Sequence, residues 1–251
     1  MLIQTLAIHG GTDRKGTQED VRVLTVSAGQ TLAVIGPTGS GKSELLSDIE
    51  QLACGDTPSG RRILLNGTIH EGGAMGTVAT LSQRTNFVMD ADIATFINLH
   101  ASSLGKSNTN WPEKVLELAN TLCGEPMAPD NKLQRLSGGQ TRALMIADIA
   151  LIADAPVVLI DEVENAGIDK HRAIAALAGQ GKIIITATHD PVLMLMHERR
   201  VVMTGGGMRT VLDVPDEELN WLKHLSELDE KLLAARDKLR LGHRLYKEVT
   251  Q

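Results

Sequence analysis

The chain has 251 residues, 42% of them hydrophobic and 22% charged, a composition typical of a soluble globular protein that can bury a full core. Its formal net charge of -6 disfavours nonspecific binding of nucleic acid by the whole chain. The N-terminus lacks the charged start and long apolar core of a signal peptide, and no apolar run approaches about 20 residues. We therefore expect a cytoplasmic protein that reaches the inner face of a membrane only peripherally, through partners.

The cysteine content gives no sign of a disulfide framework or a zinc site. Cys54 and Cys123 lie far apart in the sequence and form no CxxC pattern. We expect both to be buried thiols in a reducing compartment. Since only 2% of the residues are aromatic, the core must consist of aliphatic side chains and Met.

The first 35 residues are rich in β-formers and predict a hairpin followed by a further strand. The runs 2–8 and 21–26 flank the polar turn 10–16. The apolar run 31–35 then leads directly into a glycine-rich segment, and a helix-compatible stretch follows, which we expect to end near Gly55.

This glycine-rich segment has the composition and context of a phosphate-binding loop. Its residues are Gly36, Pro37, Thr38, Gly39, Ser40, Gly41, Lys42 and Ser43. The glycines let successive N–H groups turn inward around a triphosphate, and the following helix points its positive end at the same anion. Lys42 suits the β- and γ-phosphates, and the Ser43 hydroxyl suits Mg²⁺. The alternative, a glycine-rich turn without a ligand, does not require a strand before it and a helix after it.

The remaining chain alternates between strand and helix signals. Short strands are predicted at 62–65, 68–70 and 77–81, and helical periodicity runs from Asp92 to about Leu122 with a polar break. The segment LSGGQ, residues 136–140, opens another amphipathic helix. Two apolar runs, 156–160 and 182–187, are typical of strands buried on both faces of a parallel sheet. A final hairpin turns at Gly205–Gly207, and residues 214–251 form a helical tail. This order predicts an α/β fold with functional residues at the carboxyl ends of strands.

Several short motifs follow the phosphate loop in a specific order. Gln83 follows one predicted strand, LSGGQ opens a helix, Asp161 and Glu162 end an apolar strand, Asp169 closes a glycine-containing loop, and His189 follows the next strand. Together with the loop, this set closely resembles the ATP-binding cassette (ABC) ATPase family over residues 1–212. The resemblance implies a P-loop NTPase core with a mixed, largely parallel sheet in a domain of residues 1–213. It also implies an antiparallel N-terminal β subdomain, an inserted helical subdomain at about 91–153 and a separate tail at 214–251.

The resemblance also implies roles for these residues, with ATP and Mg²⁺ as cofactors. Asp161, Ser43 and Gln83 would serve the Mg²⁺ ion, Glu162 would polarise the attacking water, and His189 would contact the γ-phosphate. The segment Ser137, Gly138, Gly139 and Gln140 would cap the γ-phosphate bound by a second subunit, and Asp169 would communicate between the two sites. The alternatives are that Glu162 is a solvated acid after a strand, that His189 is a structural histidine and that Gln83 is a surface amide.

The sequence departs from the family pattern at three places. His9, 27 residues before Gly36, stands where the family usually has an aromatic residue that stacks on adenine. It can stack with a smaller face, or it can serve the hairpin structurally. Residue 163 is Val where many members have Pro, and the loop 165–169 differs from the commoner Ser-Ala-Leu-Asp form.

The tail carries a heptad pattern of mostly apolar residues. Its members are Trp221, Leu225, Leu228, Leu232, Ala235, Leu239, Gly242, Tyr246 and Val249. Additional leucines widen the stripe, which favours docking on a globular surface, its own or a partner's, over a free coiled coil. From Lys231 onward basic residues predominate, as on a solvated face or a face for an acidic partner.

Two functions remain open at this stage. One is the ATPase subunit of a membrane transporter, which works as a dimer with separate permease subunits. The other is a soluble ABC ATPase that remodels or activates a protein or metalloenzyme complex. A small-molecule P-loop kinase is disfavoured because LSGGQ would have no role in it.

Overall fold

A computed structural model of the chain describes residues 3–70, 76–82, 86–106, 109–161 and 167–245. The strands are β1 (Thr5–His9), β2 (Val23–Ser27), β3 (Thr31–Ile35), β4 (Arg62–Leu65), β5 (Thr68–Ile69), β6 (Val78–Ser82), β7 (Val157–Asp161), β8 (Ile183–Ala187), β9 (Arg199–Thr204) and β10 (Gly207–Asp213). The helices are α1 (Lys42–Glu50), α2 (Ile93–Ser103), α3 (Trp111–Leu122), α4 (Gly138–Leu151), α5 (Lys170–Ala178), α6 (Pro191–Met196) and α7 (Asp216–Arg240).

One sheet is antiparallel and is formed by the N-terminal part of the chain, with strand order β2-β1-β4-β5. The predicted hairpin is β1 and β2, paired from Thr5 opposite Ser27 to His9 opposite Val23. The turn between β4 and β5 is Asn66-Gly67, and both residues have positive φ, at 50° and 78°. This is the backbone twist that a tight two-residue hairpin requires.

The second sheet is mixed and largely parallel, with strand order β10-β9-β3-β8-β7-β6. All of its neighbouring pairs are parallel except β9 and β10. Val157, Val158 and Leu159 on β7 are fully buried, and so are Ile183 to Ile185 on β8. Alternate residues of these strands face opposite apolar clusters, so the prediction of strands buried on both faces is confirmed. The predicted α/β fold class is confirmed as well.

The helices α2, α3 and α4 occupy the segment 91–153 between the edge strand β6 and its neighbour β7. Side-chain caps fix where two of them begin. Asp92 accepts a hydrogen bond from the Thr95 N–H at the start of α2, and Ser137 accepts one from the Gln140 N–H at the start of α4. Fully buried aliphatic residues such as Ile97, on α2, then join these helices into one core with one face of the mixed sheet.

The helix after the phosphate loop is shorter than predicted. It ends at Glu50, not near Gly55, because Leu52 adopts a left-handed conformation (φ 51°) and the Ala53 N–H bonds back to the Asp48 carbonyl. The prediction that both cysteines are buried is wrong, and for Cys54 the early end of α1 is the reason. Cys54 follows the reversal and is exposed, while Cys123 is only partly buried.

A buried ionic cluster, formed by Arg61, Glu19 and Asp48, joins the N-terminal sheet to the phosphate-loop helix. The Arg61 guanidinium is fully buried, 2.5 Å from Glu19 and 2.8 Å from Asp48 of α1. It also donates to the Gly206 carbonyl at 2.6 Å. Burial lowers the pKa of Arg61, but the two carboxylates raise it by more, so the group stays charged. Losing one partner of such a cluster costs about 3–5 kcal/mol, because the other charges stay buried.

The tail helix α7 packs on its own domain along one side. Asp229 lies 3.2 Å from Lys170 of α5, and Glu218 lies 2.6 Å from Arg200 of β9. The described part of the tail helix is therefore docked, as the wide apolar stripe favoured, and the division of the chain at residue 213 stays a prediction. Tyr246 and Val249 of the predicted heptad lie outside the described residues. In the described part of the chain, no helix combines the length and apolarity needed to cross a bilayer.

Candidate nucleotide-binding site

The phosphate loop has backbone angles that only glycine adopts readily. Gly36, Gly39 and Gly41 have φ values of 148°, 77° and 102°. A Cβ atom on Gly36 would lie 2.4 Å from the Met203 carbonyl oxygen, and one on Gly41 would lie 2.8 Å from Gly206 Cα. The loop is thus packed against β9 and the turn after it, and α1 begins at Lys42 directly behind it.

Two polar side chains of the loop are buried in it. Lys42 is 7% exposed, and its ammonium donates to the carbonyls of Gly36 at 2.9 Å and Pro37 at 3.4 Å. The buried Ser40 hydroxyl has no hydrogen-bond partner among the described residues. A buried cation beside an unsatisfied hydroxyl, at the N-terminus of a helix, is a suitable cradle for a phosphate anion.

The parallel register brings the other predicted residues to the same edge of the sheet. Val34 on β3 lies opposite Ala187 on β8, and Ala187 lies opposite Asp161 on β7. Gly36 and His189 each follow this row by two residues, so the loop and the histidine leave the sheet at one level. Because neighbouring strands are about 4.8 Å apart, β7 lies about 10 Å from β3. Asp161 and His189 are therefore neighbours of the loop.

The oxygen donors at this edge fit Mg²⁺ bound together with a nucleotide. The Ser43 hydroxyl and the Asp161 carboxylate are hard ligands, and Mg²⁺ usually takes one or two of these plus phosphate oxygens and water. Among the described residues no group of three His, Cys, Asp or Glu side chains could hold a metal by itself. Two predicted members, Gln83 and Glu162, lie outside the described residues. They follow Ser82 and Asp161, which are paired across β6 and β7.

The predicted signature segment forms the exposed start of α4. Ser137 and Gln140 make a reciprocal capping box, with the Gln140 side chain accepting from the Ser137 N–H at 2.9 Å. Ser137 and Gly138 are exposed, and Gly139 adjoins Gly167. Asp169 caps α5 by accepting from the Arg172 N–H at 3.0 Å. Within the described ranges, no hydrogen bond joins 137–140 to the phosphate loop.

Two residues of the N-terminal hairpin, His9 and Arg14, differ in their relation to the phosphate loop. His9 ends β1 opposite Arg62, in a depression that it shares with Thr57 and Gly60. Its stacking on adenine stays a prediction. Arg14, which the sequence analysis did not single out, donates from its guanidinium to the Gly39 carbonyl at 2.8 Å. The polar turn 10–16 was visible in the sequence, but its fold onto the loop depends on distant partners.

Those partners fix the turn in place. Asp13 accepts from the N–H groups of Lys15 and Thr17, both at 2.9 Å, and pairs with Arg209 at 2.6 Å. The Arg14 N–H donates to the Gly205 carbonyl at 3.0 Å. The side-chain bond to Arg209 is the main reason that the pKa of Asp13 is lowered. The turn is therefore held by both its backbone and its side chains.

A second ionic cluster links the site to the tail. Lys170, which follows Asp169, is 2.5 Å from Asp190 and 3.2 Å from Asp229 of α7. Asp190 in turn follows His189 and caps α6 through two backbone N–H groups. Burial lowers the pKa of Lys170, but its two carboxylate partners raise it by more. One cation thus joins the segments that carry Asp169 and His189 to the tail helix.

Comparison with known proteins identifies the family. The model of the ABC transporter family matches residues 21–165. An uncharacterised ABC transporter ATP-binding protein of Methanocaldococcus jannaschii is 49% identical over 253 residues, which cover 99% of this chain and 97% of the relative. The macrolide export ATP-binding/permease protein MacB of Agrobacterium fabrum is 29% identical over 74% of this chain and 30% of its own length.

Solved structures show the same fold. The ATP-binding subunit of an ABC transporter matches with a TM-score of 0.63 at 20% identity, over 91% of this chain and 99% of the subunit. The protein cbiO1 of Clostridium perfringens, part of the ABC transporter complex cbiONQ, matches with a TM-score of 0.60 at 22% identity, over 96% and 97%. The chain belongs to the ATP-binding proteins of the ABC transporter family and is an ATPase.

Proposed function

We propose that the chain binds and hydrolyses Mg-ATP at the interface of a head-to-tail dimer. The observation that carries the proposal is the exposed start of α4, which has unpaired N–H groups suited to an anion but makes no hydrogen bond to the described phosphate loop of its own chain. A second copy related by a two-fold axis can bring this segment to the nucleotide held by the first.

In this dimer each chain supplies two half-sites. The loop and α1 bind the phosphates, Lys42 offsets their charge, and Ser43 and Asp161 hold the Mg²⁺ ion, which neutralises charge on the triphosphate. His189 contacts the γ-phosphate from the next strand, while Glu162 polarises the attacking water. Gln83 would contact the Mg²⁺ ion and the attacking water. Asp169 would couple the two nucleotide sites of the dimer. The segment 137–140 of the other copy completes the site.

The partners that we propose are the permease subunits of a transporter. Relatives support this: the M. jannaschii protein is named as an ABC transporter ATP-binding protein, and MacB carries both ATP-binding and permease functions in its name. ATP hydrolysis would then be coupled to transport by those permease subunits, at the inner face of a membrane.

We also propose that Arg14 binds the nucleotide at the rim of the loop. Its guanidinium donates a hydrogen bond to the Gly39 carbonyl, and the Arg14 side chain is exposed to solvent. A planar cation in this place can stack on the base, a role in which an arginine serves well. His9 stays the second candidate for the base.

The dimer is tested by retention of ATP in the Glu162→Gln variant. We expect this variant to stop hydrolysis and to retain ATP through rapid desalting with Mg²⁺, because the closed dimer encloses the nucleotide. Adding Ser137→Asp should abolish retention, since the new carboxylate opposes the γ-phosphate, while ATP binding by the single chain, measured at low protein concentration without Mg²⁺, stays unchanged. Asp is a good N-cap, so α4 keeps its stability, and Ser137→Asn provides the neutral control. Full retention in the double variant would contradict the proposal.

The role of Arg14 is tested by titration with ATP and with inorganic tripolyphosphate. We expect Arg14→Ala to raise the Kd for ATP roughly 10-fold, the size of one lost interaction of a charged group, and to affect tripolyphosphate less. Arg14→Lys should restore part of the affinity. The exposed neighbour Lys15 provides the matched control, Lys15→Ala. An unchanged Kd for ATP in Arg14→Ala, at an unchanged unfolding temperature, would refute the assignment.

The choice of partner is tested by purifying the tagged chain from its native cells in mild detergent. We expect integral membrane permeases to co-purify and the chain to sediment with membranes, because the ATPase acts through those subunits. Recovery of a soluble protein or metalloenzyme complex, with no membrane subunit, would contradict the transporter role and favour the soluble alternative.

A further inference from the structure

The outer side of α7 carries a line of exposed apolar side chains, which we call the outer stripe. Its members Trp221, Leu228, Leu232 and Leu239 are 62%, 43%, 65% and 56% exposed. At 100° per residue, the four lie within about 20° of a single line along the helix. Exposed leucine is common on proteins, but a continuous line with a tryptophan marks an interaction surface.

The outer stripe is distinct from the side by which α7 docks on its own domain. The docked side carries Glu218, Leu222 and Asp229, about 80° around the helix from the stripe. Docking leaves the stripe uncovered along a helix that is about 37 Å long. The stripe therefore needs another occupant.

The charges of the tail are divided between its two halves. Residues 216–230 contain six acids and one lysine, while residues 231–245 contain five Lys or Arg and one acid. Two of the acids are already engaged, Glu218 with Arg200 and Asp229 with Lys170. Among the exposed charges that no ion pair engages in the described residues, Glu217, Lys231, Arg236 and Lys238 lie within about 100° of the outer stripe. Glu227 and Glu230 lie farther around the helix, at about 120° and 180° from the stripe.

From these two features we propose that the outer stripe binds the outer stripe of a second copy in antiparallel orientation. Antiparallel pairing lays the acidic half of each helix along the basic half of the other, whereas parallel pairing would set like charges side by side. The stripe spacings of seven, four and seven are the same in both directions. One two-fold axis that crosses the stripe at the level of residue 230 therefore pairs Trp221 with Leu239 and Leu228 with Leu232.

This contact goes beyond the proposed ATP-bound dimer because it needs no nucleotide. It rests on a different surface, yet it is connected to the site through Lys170, which joins Asp229 of α7 to Asp190 beside His189. A copy held by its tail stays close to its partner between cycles, which raises the effective concentration for closure on ATP.

The proposal is tested by sedimentation of the full chain after removal of nucleotide and Mg²⁺. We expect a dimer for the natural sequence and at least a roughly 10-fold weaker dimer for Leu232→Glu, because its carboxylate would be buried in the stripe. Leu219→Glu is the matched control: Leu219 is 49% exposed on the same helix but off the stripe, so its dimer should persist.

The orientation is tested by exchange of charge. Changing Lys231, Arg236 and Lys238 to Glu in one chain should weaken its self-association, because acids would then lie along acids. Mixing it with a chain that carries Glu217→Lys should restore association as a heterodimer. Cross-linking tests the orientation itself. One chain carries Trp221→Cys and the other Leu239→Cys, and both carry Cys54→Ser and Cys123→Ser. We expect these two chains to cross-link. Two chains that both carry the cysteine at 221 should not.

Three outcomes would overturn the proposal. They are a monomeric natural chain at the highest soluble concentration, equal effects of Leu232→Glu and Leu219→Glu, and a monomer that binds vesicles of anionic phospholipid through Trp221. None of them bears on the ATP-enclosing dimer, because retention of ATP by Glu162→Gln reports on that dimer separately. Retention of ATP by chains that are monomeric without nucleotide would refute only the tail contact.

Discussion

The row of parallel pairing through Val34, Ala187 and Asp161 is the constraint on which the site depends. It sets three strand ends at one level, so the phosphate loop, His189 and Asp161 reach a common edge of the sheet. The strands hold this register because their residues are buried on both faces. A slip by one residue would turn every apolar side chain to the wrong cluster and move all three functional groups.

Two ionic clusters, one around Arg61 and one around Lys170, join other segments of the chain to this sheet. The Arg61 cluster joins Glu19 of the N-terminal segment, Asp48 of α1 and the turn at Gly206. The Lys170 cluster joins the starts of α5 and α6 to the tail. The first is almost completely buried and costly to open, whereas the second is partly exposed to solvent.

Sequence patterns gave the fold class, the strands of the core and the loop because these depend on local periodicity and glycine placement. They were less able to give features that depend on distant partners. Arg14 reaches Gly39 only because Asp13 pairs with Arg209 and the backbone bonds to Gly205. Likewise, the early end of α1 depends on the left-handed Leu52, which no local signal marks, and it exposes Cys54.

We propose that Ser137 of one copy meets the phosphate loop of another, and cross-linking tests this contact most directly. Ser137→Cys and Thr38→Cys would be placed in two differently tagged chains, both carrying Glu162→Gln, Cys54→Ser and Cys123→Ser. Both positions are exposed in the single chain. We expect a cross-link between the two tagged chains that forms with Mg-ATP and is lost without nucleotide. Its absence, in chains that bind ATP normally, would contradict the account.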